Sequence, residues 1–169
     1  MSGRIGIALA IAGGLLAVAL VARSGSAPAA PVEHANLAFT LDDMSGAKVD
    51  LTTFAGKPLI INLWATWCGP CRLEMPQLVG FADKFGDRGL RIVGISTDDA
   101  PDAIRAFAAE YKVNFPMLVG LGEDAFLRSI GYQDTLPLSI LIRADGTIAE
   151  RITGIKTTPE WERRILALF

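Results

Sequence analysis

Histidine and cysteine are scarce in this chain: 169 residues include one histidine, His34, and two cysteines, Cys68 and Cys71. A closed zinc site takes about four ligands, which leaves the chain short of thiolates and imidazoles. An iron–sulfur cluster needs more thiolates than two. A c-type haem attachment would place a histidine after the second cysteine, where Arg72 stands. No metal and no cofactor are therefore expected. Excess positive charge is lacking as well. Sixteen Lys and Arg against eighteen Asp and Glu leave a net −2, which gives no electrostatic footprint for nucleic acid. There is no internal repeat and no sign of a second domain, and the length suits one domain with a sizeable core.

Apolar residues make up 51% of the chain, and the excess is concentrated at the front. Ile5–Ala22 carries no charge and is bracketed by Arg4 and Arg23. As a helix it would span about 27 Å, enough for a hydrocarbon core. Residues 1–23 therefore read as a signal anchor in the inner membrane. A cleaved signal peptide is the alternative, because Ser24-Gly25-Ser26 offers small residues before Ala27. The amino terminus and Arg4 outweigh Arg23, so the positive-inside rule leaves the N-terminus in the cytoplasm. Either way the rest of the chain is expected on the periplasmic side of a bacterial inner membrane, anchored or soluble, where thiols meet an oxidising compartment. Residues 24–36, rich in Ser, Ala, Gly and Pro, read as a flexible tether in which His34 is a solvated residue.

The two cysteines occupy one pentapeptide, Trp67-Cys68-Gly69-Pro70-Cys71. A bridge between such near neighbours closes almost no loop and contributes little stability by restricting the unfolded chain. Redox chemistry is the better reading. Ahead of the pair, Pro58–Trp64 is a nearly continuous apolar run, as expected of a strand buried on both faces. Behind it, Leu73, Leu78, Phe81 and Phe85 recur at helical spacing. The dithiol thus stands where a buried strand hands over to a helix that runs to about Phe85, with Pro76 expected to bend it.

Elsewhere, residues 37–41 and 48–51 alternate around a turn and predict an N-terminal β-hairpin. A strand at 90–96, a helix at 101–111, a short strand at 115–119 and a short helix at 123–130 follow. A hairpin of 138–142 with 147–153 and a helix opening at Thr158-Pro159 complete the chain. This alternation predicts a three-layer α/β arrangement, a central mixed sheet flanked by helices, over residues 37–169.

Quoted in full, the stretches Ile61-Asn62-Leu63-Trp64-Ala65-Thr66-Trp67-Cys68-Gly69-Pro70-Cys71-Arg72-Leu73-Glu74-Met75-Pro76 and Thr135-Leu136-Pro137-Leu138-Ser139-Ile140-Leu141-Ile142-Arg143-Ala144-Asp145-Gly146 resemble the thioredoxin fold. More narrowly, they are similar to the exported TlpA/ResA group of thiol–disulfide oxidoreductases, over roughly Asn36–Phe169. That resemblance implies an enzyme that reduces protein disulfides through Cys68 and Cys71, fed by a transmembrane thiol donor. It also offers two family roles, cytochrome c maturation and reduction of copper-site cysteines. Gly69-Pro70 matches the pair found in reducing thioredoxins. Pro137 is implied to be the cis-proline facing the dithiol, with the Leu136 backbone pairing with an extended partner segment. A monomer is expected.

The residues assign roles on their own account. Cys68, at a helix entry, meets free N–H groups and the positive end of the helix dipole, so it is the expected nucleophile. Cys71, one turn inward, is the resolving thiol. Pro70 suits a first turn, and Gly69 permits close approach of a partner backbone. Glu74 lies three residues after Cys71 on the same face, where it would raise thiol pKa and could shuttle the Cys71 proton; the alternative is an exposed helix charge. In cytoplasmic thioredoxins a buried aspartate on the preceding strand does this; here Asn62 holds that position. Trp67 reads as a lid on the thiols or as buried aromatic surface, and Trp64 as core. Asp98-Asp99 read as loop acids and Phe115-Pro116 as strand-edge packing. Three rivals stand beside the reductase: a thiol oxidase, a thioredoxin-fold binding or metal-carrier module, and a peroxidase. The last expects Pro and then Thr or Ser where Ile61 and Ala65 stand.

Overall fold

The computed structural model describes residues 32–169. The Ile5–Ala22 run and most of the proposed tether lie outside the described residues. Among those described, no helix is long and apolar enough to cross a membrane.

Every residue of the central strand β3 (Leu59–Trp64) is buried, and this explains its unbroken apolar sequence. The alternation of a strand is still present, expressed as two different neighbourhoods. Leu59, Ile61 and Leu63 join one core cluster, while Ile60 and Trp64 join clusters on the opposite face. Five strands make the sheet, in the order β5 (Met117–Val119), β4 (Arg91–Ser96), β3, β6 (Leu138–Ile142), β7 (Ile148–Thr153). β4 runs parallel to β3 and to β5, whereas β6 is antiparallel to both β3 and β7.

Helices cover both faces. α1 (Gly69–Phe85), α2 (Pro101–Glu110) and α4 (Thr158–Leu166) pack on the face of Ile60 and Trp64, through Leu78, Phe81, Phe107, Trp161 and Ile165. α3 (Asp124–Ser129) and the hairpin of β1 (Thr40–Asp42) with β2 (Lys48–Asp50) cover the other face through Phe126, Leu127 and Leu41. Each large side chain buried this way contributes about 1.5–3 kcal/mol. The expected three-layer thioredoxin fold with an N-terminal hairpin is therefore what the chain adopts.

Element boundaries moved for local reasons. β2 stops at Asp50 because its carboxylate accepts the Thr52 N–H at 2.9 Å and starts a 3₁₀ turn. α4 is capped one residue earlier than Thr158: Thr157 N–H and its hydroxyl both donate to Glu160, at 2.9 and 2.7 Å. α1 continues through Pro76 as one helix.

The segment around His34, read from composition as tether, lies along an edge of the sheet. His34 bridges Thr147, Ile148 N–H donates to Glu33 O at 2.8 Å, and Arg151 clasps the Glu33 carboxylate at 2.6 and 2.7 Å. His34 itself stays exposed. The pairing covers backbone groups that an edge strand would otherwise present to other chains.

Candidate active site

The chain leaves β3 at Trp64 and reaches the helix through Ala65-Thr66-Trp67. Cys68 is the N-cap of α1: its backbone is extended, and its Sγ accepts the N–H of Cys71 at 3.2 Å. That N–H is one of the groups a helix leaves unpaired at its start, so the sulfur sits where negative charge is favoured. Cys68 and Cys71 form a disulfide with their Cα atoms 5.3 Å apart. Both are nearly buried, Cys68 at 4% exposure and Cys71 at 1%. Pro70 stands in the first turn, where its missing N–H costs nothing. Among the described residues, a Cβ on Gly69 would meet nothing within 4 Å beyond its own helix and chain neighbours, so the fold leaves open space there.

Glu74 is not an exposed helix charge. It is 1% exposed, and its Oε2 accepts the side-chain amide of Asn62 at 3.0 Å; that amide also donates to Ser139 Oγ at 2.9 Å. Oε1 is buried without a hydrogen-bond partner. Burial is the dominant influence and pushes the Glu74 carboxyl up to about 7. The Asn62 amide, Lys156 and the Trp161 indole pull the other way, and more weakly. The strand position held by Asn62 thus serves a carboxyl delivered from the helix opposite.

Trp67 is 67% exposed, so the buried-surface reading of it falls; its indole N–H donates to the Asp98 carboxylate at 3.0 Å. Trp64 is core, with its ring 4.3 Å from that of Phe107. Trp64 and Met117 come so close to Gly94 on β4 that a Cβ there would stand 2.5 Å from Met117 Sδ. The Leu136–Pro137 peptide is cis, and Leu136 packs against the cluster that contains both cysteines. Among the described residues, no backbone hydrogen bond reaches Leu136, while Pro137 O accepts Gly154 N–H at 3.0 Å. The structure therefore brings together Cys68, Cys71, Trp67, Gly69, Pro70 and Leu136-Pro137. Glu74 lies beneath them on the inner face of α1.

Asp99, expected as a loop acid, is a structural acceptor. It is buried, accepting the Thr66 N–H at 2.7 Å, the Thr66 hydroxyl at 2.6 Å and the Ser96 hydroxyl at 2.6 Å. It fastens the end of β4 to the turn that delivers Cys68. A signal was available: in parallel sheets, functional loops gather at the carboxyl ends of neighbouring strands, and Asp98-Asp99 directly follow such a strand. Among the described residues no cluster of His, Cys, Asp and Glu is arranged to hold a metal.

A cysteine pair at the start of a helix, fed by a central strand, with Leu136 of a cis Leu136–Pro137 peptide packed against it on a thioredoxin fold, defines a thiol–disulfide oxidoreductase. Comparison with known proteins agrees and narrows the class. Residues 30–166 match the Redoxin family, and the chain belongs to it. It is 32% identical over 124 residues to the thiol–disulfide oxidoreductase ResA of Bacillus thuringiensis subsp. konkukian, covering 73% of this chain and 70% of that one. ResA of Bacillus subtilis is 31% identical over 119 residues, covering 70% and 65%. Among solved structures, a secreted Mycobacterium tuberculosis disulfide oxidoreductase homologous to Escherichia coli DsbE superposes with a TM-score of 0.70 at 28% identity, covering 78% of this chain and 96% of that one. A thiol:disulfide interchange protein from Chlorobium tepidum gives 0.73 at 27% identity, covering 83% and 99%. The chain is an enzyme of thiol–disulfide exchange whose substrates are protein disulfides.

Proposed function

We propose that this protein is an exported, membrane-anchored reductase in which Cys68 attacks, Cys71 resolves and Glu74 manages the proton between them. The observation that carries the reading is the Cys68 sulfur at the α1 N-cap, accepting a backbone N–H, with a buried carboxyl on the same helix. In the reduced protein the Cys68 thiolate attacks one sulfur of a partner disulfide. A Cys68–partner bond forms and the other partner sulfur leaves as a thiolate. Cys71 then loses its proton to the Glu74 carboxylate and attacks Cys68 Sγ. The Cys68–Cys71 disulfide forms, and the second partner sulfur leaves. The partner gains two electrons and, with two protons from solvent and the site, becomes a dithiol.

Supporting groups fit these steps. Leu136 offers free backbone beside the thiols for an extended partner segment, and Gly69 leaves room for its approach. Exposed Trp67 supplies apolar surface next to Cys68. Beyond a membrane, a reductant must be re-reduced, so the reading requires a transmembrane thiol donor. The apolar Ile5–Ala22 run would hold the domain near it and raise its effective concentration.

The test is the thiol state of the full chain in living cells, read by acid quench and alkylation. Cys68 and Cys71 are expected largely reduced, and oxidised once the donor is deleted. A pair oxidised in undisturbed cells and indifferent to the donor would move the assignment to thiol oxidase.

A further inference from the structure

Asn62 interrupts the apolar run of β3 and is itself buried, at 1% exposure. An amide in such a place costs free energy unless its donors are paired. Sheet register pairs them. Asn62 lies opposite Ser139 of β6 on one side and opposite Gly94 of β4, which has no side chain, on the other. Residues directly opposite in an antiparallel pair share a face, here the face of Ile60 and Trp64 that α1 covers. One amide N–H therefore meets Ser139 Oγ at 2.9 Å, and the amide also donates to Glu74 Oε2 of α1 at 3.0 Å.

The two bonds act together. By accepting from the amide, Ser139 holds its NH2 end toward α1; turned over, the amide would set its carbonyl oxygen against an ionised Glu74. An amide does not titrate, so Asn62 keeps its N–H groups whichever form Glu74 takes. The remaining surroundings leave Glu74 Oε1 alone. It is buried and accepts no hydrogen bond, and the buried indole N–H of Trp161 on α4 completes none either. The charged groups of the enclosing elements have other partners. On α1, Arg72 pairs with Glu110 and Asp83 accepts from Asn114. On α4, Arg164 pairs with Glu150, Glu162 with Lys84, and Glu160 caps its own helix. Lys156, between β7 and α4, donates to the carbonyls of Thr153, Gly154 and Ile155. Cys68 and Cys71 are uncharged as a disulfide. Among the described residues, Asn62 is thus the one side chain that completes a hydrogen bond to the carboxyl.

We infer that Asn62 is a positioning residue for disulfide exchange: locked by Ser139, its amide holds Glu74 Oε2 and leaves Oε1 as the oxygen that takes the Cys71 proton. The inference rests on the reading of Glu74 as proton partner. A carboxylic acid accepts best through its carbonyl oxygen and carries its proton on the other, so an Oε2 committed to Asn62 places the proton on Oε1. The same bond steadies the carboxylate against the desolvation that burial imposes. Without it Glu74 would keep its proton to higher pH, and a protonated Glu74 has no site for the proton of Cys71.

The experiment is a carbon-13 titration of the Glu74 carboxyl in the oxidised full chain, assigned by its disappearance in Glu74→Gln. Beside it runs the pH profile of glutathione release from the Cys68 mixed disulfide, formed by mixing reduced protein with oxidised glutathione. In that step Cys71 gives up its proton, the Cys68–Cys71 bond forms and glutathione thiolate leaves. Asn62→Leu removes the donor at similar size; it is expected to raise the Glu74 midpoint by about half a pH unit or more, about a threefold change in proton affinity. The release profile should move to higher pH with it. Ser139→Ala keeps Asn62 and frees its amide, so it should move both in the same direction by less, and it decides the matter where Asn62→Leu does not fold. A midpoint and profile that stay at the parent's values in these variants, while Glu74→Gln still changes the profile, overturn the inference alone and leave Asn62 a packing residue. A midpoint that moves while the profile stays fixed overturns the positioning role and the proton-partner reading of Glu74 together.

Discussion

Replacing Glu74 with Gln should make the protein's stability lose its dependence on pH across the neutral range. In the unfolded chain Glu74 titrates near the ordinary 4.5, whereas in the folded domain burial holds its proton until about 7. A folded-state pKa above the unfolded value means that the folded state binds the extra proton between those two values. Stability contributed by the protonated form is complete below about pH 4.5 and is lost as pH rises through about 7. The difference of about 2.5 units corresponds to roughly 3 kcal/mol. Gln has nearly the same shape and can still accept the Asn62 amide. Its new NH2 would replace the unpartnered Oε1 beside the Trp161 indole N–H, a pH-independent cost of about 1–3 kcal/mol. The absolute effect of the substitution is therefore not the test; its change with pH is. Urea unfolding of the oxidised protein and of Glu74→Gln, from pH 4 to 8.5, measures the difference at each pH. It should shift in favour of the variant by about 3 kcal/mol between pH 4.5 and 8. Glu33, Asp43 and the other shifted carboxyls are common to both proteins and cancel. A difference that stays constant over this range would refute the argument that Glu74 is held protonated by burial.

Asp99→Ala removes an acceptor used by three donors and leaves those of Thr66 and Ser96 unpaired, so it should cost about 3 kcal/mol and slow insulin-disulfide reduction; denaturation and turnover both read this, and a loss under about 1 kcal/mol would mean the network is not structural. Gly94→Ala drives a Cβ into Met117 Sδ and should destabilise by about 1–3 kcal/mol. Met117→Ala in the same chain should recover part of that loss in a double-mutant cycle, and simple additivity would show that the close approach is not what matters. Of the two single-cysteine variants, the one retaining Cys68 should alkylate faster at neutral pH, because its sulfur accepts the Cys71 N–H at the helix start; faster labelling of Cys71 would reverse the assigned roles.

What the sequence determined by itself was local or periodic. Cysteine scarcity, the spacing of Cys68 and Cys71, the apolar run of β3 and the helical recurrence of Leu78, Phe81 and Phe85 pointed to the redox pair and its strand-to-helix setting. Pro137 and Leu136 were legible through resemblance. Only tertiary structure decided the surroundings of that pair. Whether Glu74 is a solvated helix charge or a buried acid depends on what covers its face of α1, and that is Asn62 and Trp161, remote in the chain. The Thr66–Asp99 lock spans 33 residues. The physical reason is common to these cases. The proton affinity of a carboxyl is set by desolvation and by the charges facing it, and neither exists until the sheet and helices have closed around it.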